Sequence, residues 1–239
     1  MLAVLARPVA LVAHIWTMIN KFAFVLTPTA GSMQEFGIEK ELRSLALKAM
    51  RAGWIFALLP VAFLAVFGDR VVELWMGPGY ADLALIQILA LGSVLPLAQT
   101  SLITIMVGMN RHGAIAKYGL IITAVSATVG FAAAAQFEWS LTMAALLITI
   151  PNNLGLGMSA LIIGCRVLAI SPTQYFQSVL QKPLLLFLVG GTSLVAVRLF
   201  GPQGLVASLC VAALILMLVS IVMLRNDLRE VFAHFSNKD

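Results

Sequence analysis

Apolar residues in this chain fall in long runs rather than in alternation. Seven stretches, about 9–30, 52–68, 83–109, 114–136, 141–165, 183–200 and 203–224, hold almost no charge and are separated by clusters of Gly, Pro or basic residues. As helices rising about 1.5 Å per residue, they match or approach a hydrocarbon core of about 30 Å. A closed β-barrel also satisfies every backbone group in lipid, but its strands are about ten residues long and alternate in polarity, unlike these runs. The pattern predicts an all-α fold, a polytopic transmembrane helical bundle of about seven spans forming one unit over 1–239.

Two polar connections carry a helical period of their own. In 38–51, Ile38, Leu42, Leu45 and Leu47 share one side with charges opposite, which predicts an interfacial helix over about 36–51. Ser171 followed by Pro172 is a helix start, a capping hydroxyl before a proline at the first helical position. A second interfacial helix is therefore predicted over about 172–182, with Tyr175, Phe176, Val179 and Leu180 at the lipid boundary.

Composition strengthens the membrane reading. Of 239 residues, 61% are hydrophobic and 10% charged, against about 25% charged in a soluble domain; too little charge exists to cover a water-facing surface. The net charge of +5 raises the question of nucleic acid, but the basic residues sit at span ends. Arg43, Lys48 and Arg51 follow the first span with Lys40, and Arg111 and Lys117 follow the third. Arg166 and Lys182 flank the connection after the fifth, and Arg225, Arg229 and Lys238 follow the seventh. The other connections carry Asp69, Arg70, Glu73, Glu138 and Arg198, a mixture without a Lys and Arg excess. Basic connections stay cytoplasmic, so the expectation is a multi-pass protein with its C-terminus cytoplasmic, its N-terminus outside and no nucleic-acid partner. Met1 precedes the first span by only a few residues, and Lys21 interrupts any export-signal reading of 1–30. The chain is accordingly expected to lack a front part.

Candidate chemistry is sparse. Cys165 and Cys210 each lie inside an apolar block, with neither disulfide nor metal-ligand spacing. His14, His112 and His234 fall on different elements, and no paired carboxylates, HExxH or nucleophile elbow is present. No enzyme activity, metal or cofactor is expected. An ionisable residue within a span is a functional candidate, which singles out Lys21. His14, Lys21 and Pro28 recur every seven residues with Thr17 and Met18 between, placing them near one helix face. That stripe faces a hydrated cavity holding an anionic group, or Lys21 snorkels to the interface; His14 alone reads as packed or hydrogen-bonded. Pro28 and Pro151 are expected helix breaks. Asn152 and Asn153, beside Pro151, either meet sugar hydroxyls or satisfy backbone groups freed at a packing kink. Gln99 and Gln136 are expected to hydrogen-bond neighbouring helices, and Trp75 and Tyr80 to anchor the outer interface.

Several segments go beyond hydropathy. The first span ends in Val25, Leu26, Thr27 and Pro28; residues 73–80 read ELWMGPGY, 88–92 read ILALG and 108–113 read GMNRHG. Together these resemble the C-terminal half of bacterial polysaccharide transporters of the O-antigen flippase type, in the multidrug, oligosaccharidyl-lipid and polysaccharide exporter superfamily. The resemblance covers most of the chain, most clearly about 25–165. It implies one lobe of a two-lobed transporter of the bacterial inner membrane, flipping a lipid-linked oligosaccharide precursor by alternating access. Cation coupling would be open to it. In that reading Lys21 attracts the diphosphate and His14, Thr17, Asn152 and Asn153 meet the head group. The partners implied are membrane lipids, the lipid-linked sugar, and a missing N-terminal bundle or a second copy. The alternatives are a non-transporting scaffold subunit of envelope polysaccharide assembly and a small-molecule exporter of the same superfamily.

Overall fold

A computed structural model describes residues 2–77, 79–134, 141–202 and 204–236, with the side chains of 6–133, 142–143, 145–202 and 204–222 within those segments. Among the described residues eleven α-helices run in order: α1 (Leu2–Phe24), α2 (Leu26–Glu35), α3 (Glu39–Met76), α4 (Leu83–Gly92), α5 (Val94–Gly108), α6 (Gly113–Ala134), α7 (Leu141–Ala144), α8 (Ile150–Val167), α9 (Pro172–Tyr175), α10 (Gln181–Phe200) and α11 (Leu205–Ser236). Two π-helical turns, Ala145–Thr149 and Phe176–Leu180, join α7 to α8 and α9 to α10. No strand occurs among the described residues, and the fold is an all-α polytopic helical bundle.

Short helices merge into long rods. Seven of these, among the described residues, are long and apolar enough to cross a membrane: Ala6–Glu35, Glu39–Met76, Leu83–Gly108, Gly113–Ala133, Ala145–Val167, Pro172–Phe200 and Leu205–Val222. They correspond one to one with the seven predicted runs. Large apolar side chains such as Leu120, Phe131, Leu188, Leu199, Leu214 and Val222 are exposed on the outside, as a surface solvated by lipid requires.

Proline explains where rods are interrupted. It cannot donate to the carbonyl four residues back, and its ring crowds that carbonyl. Pro28 lies four residues after Phe24, where α1 ends, and Pro96 lies four after Gly92, where α4 ends. Pro151 and Pro183 each follow a π-helical turn within three residues. Pro60, in contrast, sits inside the unbroken α3.

The middle of the bundle is α3, packed on α5, α4, α10 and α11. Ala46, Ala49, Gly53 and Ala57 form a buried stripe of small residues along it, which lets neighbouring backbones approach closely. A Cβ on Gly53 would stand 2.6 Å from the Ala98 carbonyl oxygen of α5, and one on Gly108 would stand 2.3 Å from that of Thr27. Neither position accommodates a larger residue without separating two helices.

Both predicted interfacial helices differ from the fold. Residues 39–51 are the first turns of α3 itself and bury Leu42, Ala46, Ala49 and Met50 against the core. Nothing in that stretch breaks a helix, so the charged segment and the apolar span share one axis. Likewise 172–182 begins the rod that ends at Phe200. Tyr175 and Val179 are buried rather than at a lipid boundary, and only Phe176 of the apolar set is well exposed. Tyr175 accepts a hydrogen bond from Trp54 Nε1 at 2.6 Å and from Gln99 Nε2 at 3.3 Å, so its polar end is satisfied by protein.

Candidate functional site

Two interrupted rods meet inside the bundle. At the junction of α4 and α5 the amide of Ser93 turns to the carbonyl of Ala90, and its hydroxyl donates to the Leu89 carbonyl at 2.7 Å. The hydroxyl thus takes over an acceptor that a regular helix would have given to a backbone amide. On the facing rod, the π-helical turn before Pro151 carries Asn153 inward, and its Nδ2 donates to Ser93 Oγ at 3.1 Å. Counted from the start of α4, Ser93 lies about 15 Å along the helix axis, near the middle of a core of about 30 Å.

Beside this contact is a cavity of about 380 Å³ walled by α1, α4, α5 and the α8 rod. Trp16, Leu97 and Leu156 supply apolar surface, while Ser93, Asn153 and Thr149 supply neutral hydrogen-bonding groups. Among the described residues no charged one lines it. Such a pocket orients hydroxyl or amide groups against an apolar wall. Among the described residues no group of three His, Cys, Asp or Glu side chains is placed to hold a metal.

Trp16 is shared with a second hollow, of about 410 Å³, formed by Thr17, Asn20, Lys21 and Phe24 on the same helix. Lys21 is exposed there on the outer face of α1, about one and a half turns along from Trp16. Thr17 is exposed too, with its hydroxyl donating back to the Ala13 carbonyl at 2.8 Å. His14 does not join this group. It lines a different hollow of about 520 Å³ with Met18, Phe63, Leu216 and Ser220, between α1, α3 and α11. The predicted stripe is therefore divided between two hollows: Thr17 and Lys21 line the one that shares Trp16 with the cavity, and His14 and Met18 line the other.

Asn152 and Asn153 also part company. Successive helical residues point about 100° apart, and Asn152 Oδ1 accepts from Thr123 Oγ1 of α6 at 2.9 Å, away from the cavity. Pro28, exposed, marks the junction of α1 and α2. Sequence reasoning missed Ser93, Thr149, Trp16 and Asn20; Ser93 three residues before Pro96 in an apolar run was the available signal.

The basic residues assigned to topology lie at one end of the bundle. Lys48 and Lys117 are exposed on α3 and α6, and Arg111 is exposed just beyond α5. Arg43 and Arg51 are half-buried. The side chain of Arg225 lies outside the described residues, as do Gln136 and Glu138. Arg51 has a structural task that its charge did not announce. Its Nε donates to the Ser178 carbonyl at 2.7 Å, within the π-helical turn, where the i+5 partner would be the amide of Pro183, which has no hydrogen. At the far end Arg198 holds Asp69 with two hydrogen bonds of 2.8 and 2.7 Å, and Arg70 bonds Ser208 Oγ. Trp75 and Tyr80 are half-exposed near that end, with the Arg7 guanidinium 4.0 Å from the Tyr80 ring centre. Compared with protein-family models, curated proteins and solved structures, the chain gives no match in any of the three.

Proposed function

We propose that the chain is one lobe of a transporter that passes a lipid-linked oligosaccharide precursor across the bacterial inner membrane, with its C-terminus cytoplasmic and a partner bundle facing α1. The observation that carries this reading is the meeting of two interrupted rods at Ser93 and Asn153, at mid-depth, beside a cavity whose Trp16 wall is shared with the hollow of Lys21. Interrupted helices at the bilayer midplane are how carriers expose polar groups to cargo. The cavity's neutral amide and hydroxyls suit sugar hydroxyls, and its apolar wall suits a sugar ring face. Lys21 supplies a cation for the diphosphate that links sugar to lipid. An exposed lysine on the outer face of a membrane helix is costly against lipid, so that face favours a hydrated cleft between two lobes. The resemblance of ELWMGPGY, ILALG and GMNRHG to polysaccharide transporters supports the same cargo class.

The test is to replace Lys21→Ala and Asn153→Leu in the producing cell and to measure surface polysaccharide beside the abundance of the membrane protein. Lys21→Ala is expected to lower polysaccharide about tenfold or more at unchanged abundance, the loss of one charge-assisted contact of roughly 1.5–3 kcal/mol. Unchanged polysaccharide, or abundance falling in step with it, would leave the scaffold subunit as the better reading.

A further inference from the structure

The predicted basic end of the bundle carries a pocket that the transport reading does not use. The three rods that enter this end, finishing at α2, α5 and α8, terminate in the same way. Beyond each, one residue adopts a left-handed backbone: Gly37 at φ 67°, Asn110 at φ 54° and Ala169 at φ 50°. The paired bonds of a Schellman motif close each terminus: Gly37 to Gln34 with Ile38 to Met33, Asn110 to Val107 with Arg111 to Met106, and Ala169 to Arg166 with Ile170 to Cys165. These three turns surround a pocket of about 190 Å³, closed on its fourth side by the start of α3.

Two arginines line it, Arg43 and Arg111. The partial negative charge of three helix C-termini is a reason for cations to be held there. Yet two carbonyls at each of these ends are engaged by their own Schellman amides, and neither arginine bonds to a terminal carbonyl. Arg43 Nε is buried and has no hydrogen-bond partner, an arrangement costly enough that an acceptor is expected in the pocket. Glu39 stands on the rim without an ion pair to either arginine. Two arginines, one on α3 and one just beyond α5, bring guanidinium donors of the kind that match the oxygens of a phosphate.

We infer that this pocket binds a phosphate-bearing anion, supplied by an anionic lipid headgroup of the adjacent leaflet or by free phosphate, independently of what cargo the bundle carries. The pocket lies where the predicted membrane border falls, at the end of the bundle that also carries Lys48 and Lys117, a basic end that attracts anionic lipid. The bound phosphate would tie the end of α5 to α3 through Arg111 and Arg43.

Thermal unfolding of the full chain in detergent tests this, with dioleoyl-phosphatidylglycerol, dioleoyl-phosphatidylcholine or inorganic phosphate added. Saturable stabilisation by phosphatidylglycerol but not phosphatidylcholine is expected, because a ligand of the folded state alone raises its melting temperature. Stabilisation by inorganic phosphate as well would assign the site to free anion. Arg43→Gln and Arg111→Gln should each raise the half-saturating concentration about tenfold, Glu39→Gln should lower it, and Lys117→Gln should leave it unchanged. Arg111 is exposed, so its variant keeps the test valid if Arg43→Gln fails to fold. Equal stabilisation by both lipids, no stabilisation by any additive, or an equal loss in Lys117→Gln would overturn the site.

Discussion

Ala169 occupies a backbone conformation that an L-residue with a Cβ adopts at a cost of roughly 1–2 kcal/mol. The equivalent places after α2 and α5 hold Gly37 and Asn110, residue types that tolerate it. Ala169→Gly is therefore expected to stabilise the protein by about 1 kcal/mol, part of the relief being offset by the greater freedom of glycine when unfolded. Thermal unfolding in detergent would show it as a raised melting temperature; a lowered one would mean that the methyl group's packing outweighs the strain. At this scale the sequence was half legible. Lys21, Asn153 and the helix-breaking Pro28 and Pro151 stand out because charge, amide and ring are conspicuous in an apolar run. What lay hidden was direction: Asn152 and Asn153 are neighbours in sequence but serve α6 and the cavity respectively. His14 and Lys21, seven residues apart, line different hollows because the elements packed against α1 differ along its length.

Among the elements, the π-helical turn Phe176–Leu180 makes a sharper prediction. Its carbonyl at Ser178 is served by Arg51 from α3 because residue 183 is proline. Pro183→Ala restores an amide that can serve that carbonyl, so the bond from Arg51 becomes partly redundant. A double-mutant cycle should find that Arg51→Gln costs about 1.5–3 kcal/mol in the natural background and distinctly less beside Pro183→Ala. Additive effects in unfolding measurements would separate the two residues. Element existence was legible, since seven apolar runs became seven rods. Element continuity was not. A charged amphipathic stretch ending at Arg51 and an apolar stretch starting at Ala52 differ in what surrounds them, not in helical period, so hydropathy cut α3 where the backbone runs on. Amphipathicity likewise identified two faces at Tyr175 and Val179 without telling whether the apolar one meets lipid or α3.

Over the whole molecule, α3 and the rod ending in α10 run parallel and are joined at both ends. Arg51 to Ser178 forms one joint and Asp69 to Arg198 the other, separated by about 27 Å along α3 and about 30 Å along its partner. These are the borders of a hydrocarbon core, where charged groups keep their solvation and still anchor a helix pair. Asp69→Asn leaves the half-buried Arg198 without its counter-charge and is expected to cost roughly 1–3 kcal/mol in detergent. Pairing it with Arg198→Gln should recover part of that loss. Equal destabilisation by the single and double variants would show that the carboxylate acts other than through Arg198.

The placement of the interruptions has a mechanical consequence. Rods one, three and five are each jointed, at Val25, at Ser93 and through Ala145–Thr149; the joint of rod six, Phe176–Leu180, is braced by Arg51, and α3 runs without a break from Glu39 to Met76 and is riveted to that rod at both borders. The molecule is thus a beam with three articulated struts leaning on it. Bending is cheapest where a carbonyl already lacks its amide, so a load applied to the outer face of α1 would flex the struts about the Ser93–Asn153 contact and leave the beam straight.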